Sequence, residues 1–543
     1  MFSKVYCACC NGLIVSTITV EVSVDNGVNF YLVGLPDSAI KESQQRIANA
    51  LNTYGYRIPG RRVVINLAPA NIRKEGSGFD VPIAIGLLCS SGQIAPPKDF
   101  EEDEEIDKTT DNHNVRNLRR IDEQLQHTLD ETLIVGELAL DGSLRAIPGA
   151  LPIINHAKRE GFTGCVLPIK SAAEGAEIDG ITIYGAENIS DVINILLYKE
   201  FAKGKVVTAP SPSLSKAPQF EYDFSQVKGQ AFAKRGLEIA AAGSHNVLMV
   251  GSAGCGKTFM ARCLPSILPP MTKEESIQTS EIYSVANLLE GALIKQRPFR
   301  APHHTITIPA LVGGGTYGNP GEISLAHNGV LFADELAEYS RGAIEVLRQP
   351  LENGTIEISR VKNKYIYPAR FMFIGAMNPC PCGHLYDQGG KCLCSSSQII
   401  RYQNKISGPV KDRIDIYLKV KAVKATDIFT SKESLSQEET SAQIASRVLK
   451  AREIQYRRYK SENFFTNAAI TQNKLSTYCK LGVKEKEYLK KVIEALNISA
   501  RGYTRILKIA RTIADLKGVQ DIQIEHLCEA IQLRYPEQQP TFR

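Results

Sequence analysis

The chain has 543 residues, of which 43% are hydrophobic and 22% are charged. This length exceeds what a single hydrophobic core organises, so we predict roughly three or four domains. No apolar run approaches the roughly 20 residues that span a bilayer, and residues 1–12 are too short and polar for a secretory signal, so we expect a cytoplasmic protein with no membrane partner. The formal net charge of +6 is compatible with a nucleic-acid partner but does not require one.

The first 198 residues predict an α+β domain. Apolar residues alternate with polar ones from Ile18 to Val24, and Asn26–Gly27 predicts a hairpin turn into a second strand through Phe30 and Leu32. The later patterns predict a helix from Ser38 to about Tyr54, a strand over 62–67, a buried helix over 79–89, a hairpin at 141–142, and then helix, strand and helix to about residue 198.

Two stretches of this domain, 67–80 and 136–142, resemble the N-terminal domain of Mg-chelatase-like ATPases, which is similar in fold to the Lon protease domain. In Lon-type proteases a nucleophilic serine works with a lysine, and Ser77 would be that serine. The segment 147–152, where the lysine would fall, contains none. Since a serine hydroxyl without a base is a poor nucleophile, we predict a non-proteolytic domain in which Ser77 closes a tight Gly-Ser-Gly turn.

Two segments have the composition of chain outside a packed core. Eight of the thirteen residues from Asp99 to Asp111 are acidic and the polar tract continues to about Asp130, so we expect a solvated loop near 97–130. Residues 199–222 are rich in Lys, Pro and Ser and predict an interdomain linker. A second domain is therefore expected to begin at residue 223.

Residues 251–258 fill every required position of the phosphate-binding loop G-x-x-x-x-G-K-[ST]. The apolar run 246–250 predicts a buried strand before it, and 257–264 predicts a helix after it, which is the setting that this loop requires. In that setting Lys257 reaches the β- and γ-phosphates, and the hydroxyl of Thr258 is a ligand for Mg²⁺. We therefore predict ATP and Mg²⁺ as cofactors. The predicted nucleotide-binding residues are Gly251, Ser252, Ala253, Gly254, Cys255, Gly256, Lys257 and Thr258.

Two further apolar strands end in polar side chains. The strand over 329–333 ends in Asp334, which would hold Mg²⁺ directly or through water, and Glu335, which would polarise the attacking water as general base. The strand over 371–377 ends in Asn378, whose side chain can orient that water. The alternative, a strand that ends in ordinary surface acids, is disfavoured because a complete phosphate-binding loop precedes it.

Longer stretches then resemble one family over nearly the whole chain. The stretches are 300–305, 312–315, 320–327, 378–383, 407–415 and 499–507. They resemble the YifB/ComM family of Mg-chelatase-like AAA+ ATPases, which usually has Gly-Pro-Pro-Gly-Ser-Gly-Lys-Thr as its phosphate-binding loop. The chain departs from this pattern only at variable positions of the motif, so we expect nucleotide binding to be retained.

The resemblance implies the fold and the function of the later domains. It implies an α/β AAA+ P-loop ATPase core over 223–424 and a helical lid over 425–543, preceded by the Lon-like α+β domain of 1–198. It also implies a homo-oligomeric, hexameric ring that acts on single-stranded or branched DNA. The most specific expectation is a ComM-like helicase that drives branch migration during integration of incoming DNA, with recombination proteins as partners.

By the same resemblance Asn378 is the first sensor, Arg413 is the arginine finger presented to a neighbouring subunit, and Arg501 is the second sensor on the lid. Guanidinium groups can offset the charge that develops on the γ-phosphoryl oxygens. The alternative for Arg413 is a surface ion pair with Asp412 or Asp415, which contributes little.

Residues 355–358 and 364–367 predict two strands joined by a basic turn. The family and its relatives, including replicative helicases, place such a hairpin in the pore of a ring. Its basic residues would then contact DNA phosphates. These residues are Arg360, Lys362 and Lys364. The alternative is a solvated turn, because three charges are a weak signal.

The chain contains thirteen cysteines, which without a secretory signal predict reduced thiols or a metal site rather than disulfides. Two closely spaced pairs could bind structural Zn²⁺ and so close a Gly-rich segment with little apolar content. The four residues are Cys380, Cys382, Cys392 and Cys394. Free thiols that line a tight turn are the alternative, because the usual two-residue gap within each pair is absent. His303 and His304 lack a metal-type pattern, and we predict a structural role for them.

Two other functional classes stay open. A magnesium-chelatase motor subunit would remodel a protein partner, and the N-terminal extension argues against it. An ATP-dependent Lon-like protease is disfavoured by the missing lysine.

Overall fold

A computed structural model describes residues 2–94, 124–208, 220–315, 318–359, 364–387, 392–421 and 438–536. The chain forms two compact units, Met1–Leu214 with Ser276–Ile294, and Ser215–Glu275 with Lys295–Arg543. The predicted mixed α/β class is confirmed by both sheets. Most of the predicted solvated loop at 97–130 lies outside the described residues, but its end is a helix over 124–131 rather than a loop, because Leu125 and Leu129 are buried in the core. Within the described residues no helix is long and apolar enough to cross a membrane.

The first unit is built on a seven-stranded sheet of order β3-β4-β2-β1-β5-β8-β9, beside which β6 and β7 form a separate hairpin. Its strands are β1 (Phe2–Asn11), β2 (Ile14–Asp25), β3 (Phe30–Val33), β4 (Arg62–Ala68), β5 (Thr132–Ile134), β6 (Glu137–Leu138), β7 (Leu144–Arg145), β8 (Gly164–Pro168) and β9 (Thr182–Ala186). The predicted strand at 62–67 and the hairpin at 141–142 are confirmed.

The predicted hairpin at Asn26–Gly27 is wrong. β2 instead pairs antiparallel with β1 on one side and with β4 on the other. Both edges of β2 are therefore used, and β3 pairs in parallel with β4 at the border of the sheet. β1 is absent from the predicted strands, although its buried residues alternate with half-buried ones from Ser3 to Cys7.

Helices cover this sheet. They are α1 (Ser38–Thr53), α2 (Asp80–Ser90), α3 (Ala150–Arg159) and α4 (Ile189–Leu197), with short helices Ile169–Ala172 and Lys199–Gly204. The predicted helices at 38–54 and 79–89 are confirmed, although Asp37 rather than Ser38 caps α1. α2 packs closely on the sheet because most of its residues are apolar, and a Cβ at Gly86 would lie 2.6 Å from Cγ2 of Val22.

The C-terminal part of the first unit differs from the predicted helix, strand and helix in one respect. Two parallel strands, β8 and β9, follow α3. The short helix Lys199–Gly204 also lies in the segment predicted as a linker, and Ser276–Ile294, within the range predicted for the ATPase core, belongs to the first unit.

The second unit contains a five-stranded parallel sheet of order β11-β14-β17-β10-β18. Its strands are β10 (Val247–Gly251), β11 (Phe299–Arg300), β14 (Val330–Ala333), β17 (Met372–Met377) and β18 (Ile416–Val420). Two antiparallel hairpins lie outside this sheet, β12 (Gly313–Gly314) with β13 (Asn319–Pro320) and β15 (Thr355–Ser359) with β16 (Lys364–Pro368). The five strands predicted for this unit are confirmed as β10, β14, β15, β16 and β17, and all are rich in residues that suit buried or half-buried strands.

Before the lid, the second unit contains α5 (Ala231–Gly243), α6 (Lys257–Cys263) and the start of α7 (Lys273–Val285), whose residues from Ser276 onward belong to the first unit. Its short helices are Ile308–Val312, Glu322–Leu325, Arg341–Val346, Arg348–Asn353, Ser396–Gln403 and Gly408–Lys411. The lid contains α8 (Ser441–Arg458), Leu475–Tyr478, α9 (Val483–Leu496), α10 (Ala500–Leu516) and α11 (Ile524–Arg534). The sheet and the lid helices share one hydrophobic core. The helical spacing of the apolar residues in 504–516 predicts one inward face, and the structure confirms it in α10. Its five residues, Ile506, Leu507, Ile509, Ala510 and Ile513, are all buried.

Candidate nucleotide site

The three sequence-predicted strand ends meet at one edge of the parallel sheet. β17 lies between β10 and β14 and runs parallel to both. Because the carboxyl ends of parallel strands share one edge, the phosphate-binding loop after β10, Asp334 after β14 and Asn378 after β17 converge there. The sheet order thus places residues that are far apart in sequence in one site.

The ammonium group of Lys257 joins two parts of this site. Its Nζ donates to the carbonyl oxygens of Gly251 at 2.7 Å and Ser252 at 2.8 Å, within the loop itself. It also donates to Oδ1 of Asn378 at 3.1 Å. The lysine is buried, so its charge is directed at the loop and at the predicted first sensor rather than into solvent.

Two oxygen atoms that suit Mg²⁺ lie side by side. The hydroxyl Oγ1 of Thr258 donates to Oδ2 of Asp334 at 2.6 Å. Oδ1 of the same carboxylate accepts from the backbone N–H of Glu335 at 2.9 Å, which fixes its orientation. A hydroxyl and a carboxylate are ligands of the type that Mg²⁺ takes in phosphate sites. The pair therefore fits the predicted metal position.

Glu335 has an unusual backbone and an unexpected partner. Its φ of +49° is left-handed, which is uncommon for a residue with a side chain. Its carboxylate Oε2 lies 3.2 Å from Nδ1 of His304, and 57% of the glutamate side chain is exposed. The ring of His304 also contacts that of His303, with centroids 4.1 Å apart and planes tilted by 34°.

His304 is a site residue that the sequence analysis assigned only a structural role. Its segment follows β11, which lies next to β14 in the sheet. The hydroxyl of Tyr339 donates to the carbonyl of Pro302 at 2.5 Å and so ties this segment to the chain just after Glu335. The signal in the sequence is a His-His pair shortly after a strand. This pair indicates a contact with Glu335 only once β11 is known to lie beside β14 in the sheet.

Arg413 is buried in this structure, with 6% of the residue exposed. Its guanidinium pairs with the carboxylate of Glu352, and Nη1 donates to the carbonyl of Pro409 at 2.7 Å. The hydrogen bond from Arg413 lowers the pKa of Glu352 below its usual range. The partner of Arg413 is thus neither of the acids weighed from the sequence, Asp412 and Asp415.

Arg501 lies next to this pair. Its Nη1 is 2.9 Å from Oδ2 of Asp412, and 67% of its side chain is exposed. One turn later Arg505 pairs with buried Asp415 at 2.7 Å. Burial raises the pKa of that carboxyl, but Arg505 and His245 outweigh burial and hold it well below its usual range. Arg505 therefore fastens the lid helix to the base of β18, a role that the sequence did not reveal.

The four predicted cysteines form one cluster, in which all four Sγ atoms lie within 4.8 Å of one another. The Sγ distances are 3.4 Å for Cys380–Cys382, 3.7 Å for Cys380–Cys392 and 3.6 Å for Cys382–Cys392. A tetrahedral zinc–thiolate centre spaces its sulfurs by about 3.8 Å, since each Zn–S bond is about 2.3 Å. The backbone N–H of His384 lowers the pKa of Cys382 to about 6, which favours its thiolate. In Cys392 and Cys394 a backbone hydrogen bond lowers the pKa, but burial and the neighbouring thiols outweigh it and raise the pKa above its usual range.

The predicted basic hairpin is confirmed as β15 and β16, paired antiparallel with Ser359 opposite Lys364. Nζ of Lys364 pairs with the carboxylate of Glu357 at 2.8 Å, and both side chains are exposed. Arg360 and Lys362 lie outside the described residues.

Ser77 in the first unit has an acid rather than a lysine as its partner. Its hydroxyl donates to the carboxylate of Glu137. Lys74, the nearest lysine in the sequence, is buried and donates to the carbonyl of Pro69. The described residues thus show no serine–lysine pair at this position.

Comparison with known families matches most of the chain. The family model described as magnesium chelatase, subunit ChlI, matches residues 223–428. Its C-terminal counterpart matches residues 438–534. The model described as subunit ChlI of Mg-chelatase matches residues 20–121 and 118–171.

Individual relatives extend over nearly the full length. The chain is 40% identical over 537 residues to competence protein ComM of Haemophilus influenzae, covering 98% of this chain and 97% of the relative. It is 38% identical over 520 residues to the uncharacterized protein YifB of Salmonella typhimurium, covering 95% and 94%. The chain is 26% identical over 235 residues to the magnesium-chelatase 67 kDa subunit of Heliobacterium mobile, covering 35% of each chain.

Proposed function

The chain belongs to the YifB/ComM family of Mg-chelatase-like AAA+ proteins, and we propose that it is an ATP-hydrolysing motor that acts on DNA as a ring. The observation that carries the proposal is the meeting of Lys257, Thr258, Asp334 and Asn378 at one edge of the parallel sheet. Such a set binds a nucleoside triphosphate and positions its γ-phosphate.

In this proposal each group of residues has a separate role in ATP hydrolysis. The loop N–H groups and Lys257 hold the phosphates, while Thr258 and Asp334 hold Mg²⁺, which neutralises charge on the phosphate oxygens when bound. Glu335 takes the proton of the attacking water, and Asn378 orients that water. Phosphoryl transfer needs mainly such positioning and electrostatic stabilisation.

A neighbouring subunit completes the site in this proposal. Arg413 leaves Glu352 and reaches the γ-phosphate bound by the next subunit, and Arg501 is the second sensor. Support comes from the ion pair of Arg501 with Asp412, the residue before Arg413, which brings the two arginines close together. A hexameric ring would supply one such interface for each site.

DNA is the proposed substrate. The relative from Haemophilus influenzae carries the name competence protein, and the family resemblance implies a helicase that drives branch migration while incoming DNA is integrated. The hairpin of β15 and β16 supplies the contact, with Arg360, Lys362 and Lys364 on DNA phosphates. Recombination proteins are the proposed partners.

The test is ATP-dependent migration of a labelled branched DNA, together with ATPase rates without DNA and with single-stranded, duplex and branched DNA. We expect branched or single-stranded DNA to raise the ATPase rate and wild type to move the branch. Lys257→Ala is the control, since it should do neither. Failure of wild type to move any branch across a range of salt concentrations would contradict the proposal.

A chelatase motor subunit is the second candidate, favoured by the names of the three family models. Such a motor would raise its ATPase rate in response to a protein partner rather than DNA. A protease is a weaker candidate, because Ser77 contacts Glu137 and no lysine among the described residues. Degradation of an unfolded protein with ATP would nevertheless be direct support for it.

We also propose that the four-cysteine cluster binds one structural Zn²⁺, because its sulfur spacing fits a tetrahedral thiolate site. Elemental analysis of protein purified without added metal should find about one zinc per chain. The double variant Cys382→Ser with Cys394→Ser should lose it. A folded wild type that contains no zinc and takes up none would end this proposal.

A further inference from the structure

The segment that carries the cysteines contacts the phosphate-binding loop through a side chain. Oγ of Ser252 donates to Oδ1 of Asp387 at 2.5 Å. Oδ2 of the same carboxylate lies 2.7 Å from Nδ1 of His384. Ser252 belongs to the loop and is only 4% exposed. Asp387 therefore holds the loop at a buried residue.

The backbone of the same segment packs at this place. Gly383 has a φ of +83°, and a Cβ there would lie 3.7 Å from the backbone nitrogen and Cβ of Ala253 and 3.9 Å from Cγ of Asn378. Ala253 is part of the phosphate-binding loop, and Asn378 accepts from Lys257. Gly383 directly follows Cys382, so a cysteine of the cluster is one residue away from both contacts.

Apolar burial does little to fix this segment. Within 381–387 only Gly383 is buried, and it has no side chain. Nζ of Lys419 on β18 lies 3.8 Å from the ring centroid of Tyr386, which is a cation–π contact rather than apolar burial. A segment with so few apolar contacts does not offset the entropy of its own ordering. Four thiolates around one metal supply the missing stabilisation.

We propose that a metal ion bound by the four thiolates holds Asp387 against Ser252, so that metal loading controls the affinity of the phosphate-binding loop for nucleotide. The inference rests on the proposed nucleotide and zinc sites. Without the metal the described residues from Cys380 to Asp387 lose their fixed position, and Ser252 loses a charged acceptor. Nucleotide must then order the loop as it binds, which lowers affinity. Asp334 and Glu335, which lie outside the loop, keep their places.

The first test uses the full-length chain and a fluorescent ADP, whose affinity is measured by anisotropy. Affinity is measured in zinc-containing protein, after chelation, and after zinc is returned, with metal content followed by elemental analysis. We expect chelation to weaken binding by about tenfold, equivalent to about 1.4 kcal/mol, and zinc to restore it. Equal affinity in the zinc-containing and zinc-free protein overturns the inference.

The second test breaks the link and keeps the metal. Asp387→Ala leaves all four cysteines in place, so it should retain zinc and bind ADP about tenfold more weakly. Chelation of this variant should then cause no further loss, because two changes on one path are not additive. A variant that binds ADP like wild type, or a full second tenfold loss on chelation, contradicts the proposed path.

Controls separate this inference from folding defects and from the proposed function. Cys89→Ser with Cys528→Ser replaces two partly buried cysteines outside the cluster and should keep both zinc and ADP affinity. Circular dichroism before and after chelation should show no loss of helix. A wild type that binds no ADP refutes the nucleotide site itself, whereas one that binds ADP but never zinc refutes this inference alone.

Discussion

Nδ1 of His304 lies 3.2 Å from Oε2 of Glu335, the proposed general base. The histidine comes from the segment after β11 and the glutamate from the end of β14, so the contact joins two neighbouring strands of the sheet. The imidazole restrains a carboxylate that is otherwise largely exposed.

His304→Ala should therefore reduce kcat for ATP by about tenfold while leaving KM nearly unchanged, since a misplaced base affects the transition state and not nucleotide binding. His304→Asn, which keeps a side-chain donor, should recover part of the rate. His303→Ala is the matched control. A rise in KM with kcat intact would mean that His304 supports nucleotide binding instead.

Loss of a phosphate contact should weaken ATP binding, whereas loss of the base should lower turnover without weakening binding. Lys257→Ala should weaken ATP binding by roughly 10- to 100-fold, because a charged hydrogen-bond donor is lost. Glu335→Gln should bind ATP like wild type and lower kcat by at least about 100-fold. Binding by anisotropy and steady-state hydrolysis check both. Wild-type turnover in Glu335→Gln would rule out its role as base.

The trans position of Arg413 is tested by mixing two inactive proteins. Arg413→Ala and Lys257→Ala should each be nearly inactive alone, since an arginine finger supplies roughly 10³–10⁵ in rate. Mixed assemblies should regain hydrolysis where an intact loop meets an intact Arg413. Assembly is followed by light scattering. Mixed rings without any recovered activity would contradict a site shared between subunits and leave Arg413 as the ion-pair partner of Glu352.

The basic hairpin should couple DNA to the motor without affecting basal hydrolysis. Replacing its three basic residues with alanine should leave the DNA-free ATPase rate intact and abolish both DNA stimulation and branch migration. The residues are Arg360, Lys362 and Lys364. Each lost phosphate contact should also reduce the slope of log affinity against log salt by about 0.7–0.9.

A control with the same change in charge uses exposed lysines of α9. These are Lys484, Lys490 and Lys491. Their alanine variant should migrate branches at the wild-type rate, and an equal defect in both triple variants would assign the effect to net charge rather than to the hairpin.

Burial raises the pKa of Glu174 to about 7, although Ser284 Oγ and the N–H of Leu151 donate to its carboxylate. A raised folded-state pKa means that the contribution of Glu174 to stability is fully present below about pH 4.5 and is lost as pH rises toward 7. The loss is about 1.4 kcal/mol per pH unit in that window.

Hydrogen exchange of the α3 amides, corrected for intrinsic rates, should thus show declining protection from pH 5 to 7 in wild type. Glu174→Gln should flatten the profile, whereas Glu160→Gln at the exposed end of α3 should not. Identical profiles in wild type and Glu174→Gln would show that this carboxyl does not titrate in the window.

Local patterns were sufficient to propose the nucleotide-binding residues. A phosphate-binding loop requires glycines, a lysine and a hydroxyl at fixed spacing between a strand and a helix, so 251–258 could be identified from neighbouring residues alone. The strands ending at Asp334 and Asn378 and the inward face of α10 were predictable for the same reason, since periodicity reports burial within a few residues. The four cysteines were visible as two close pairs.

Only the tertiary structure decided which elements lie next to one another. The turn at Asn26–Gly27 has the composition of a hairpin, but β1 and β4 already occupy both edges of β2, and hydrogen bonding along a whole strand outweighs a two-residue preference. The contacts of His304 with Glu335 and of Asp387 with Ser252 follow from the order of parallel strands and the path of the cysteine segment. Sequence spacing does not reveal such contacts. Each contact joins residues that are 31 or more positions apart, and the packing of the sheet sets the distance between them.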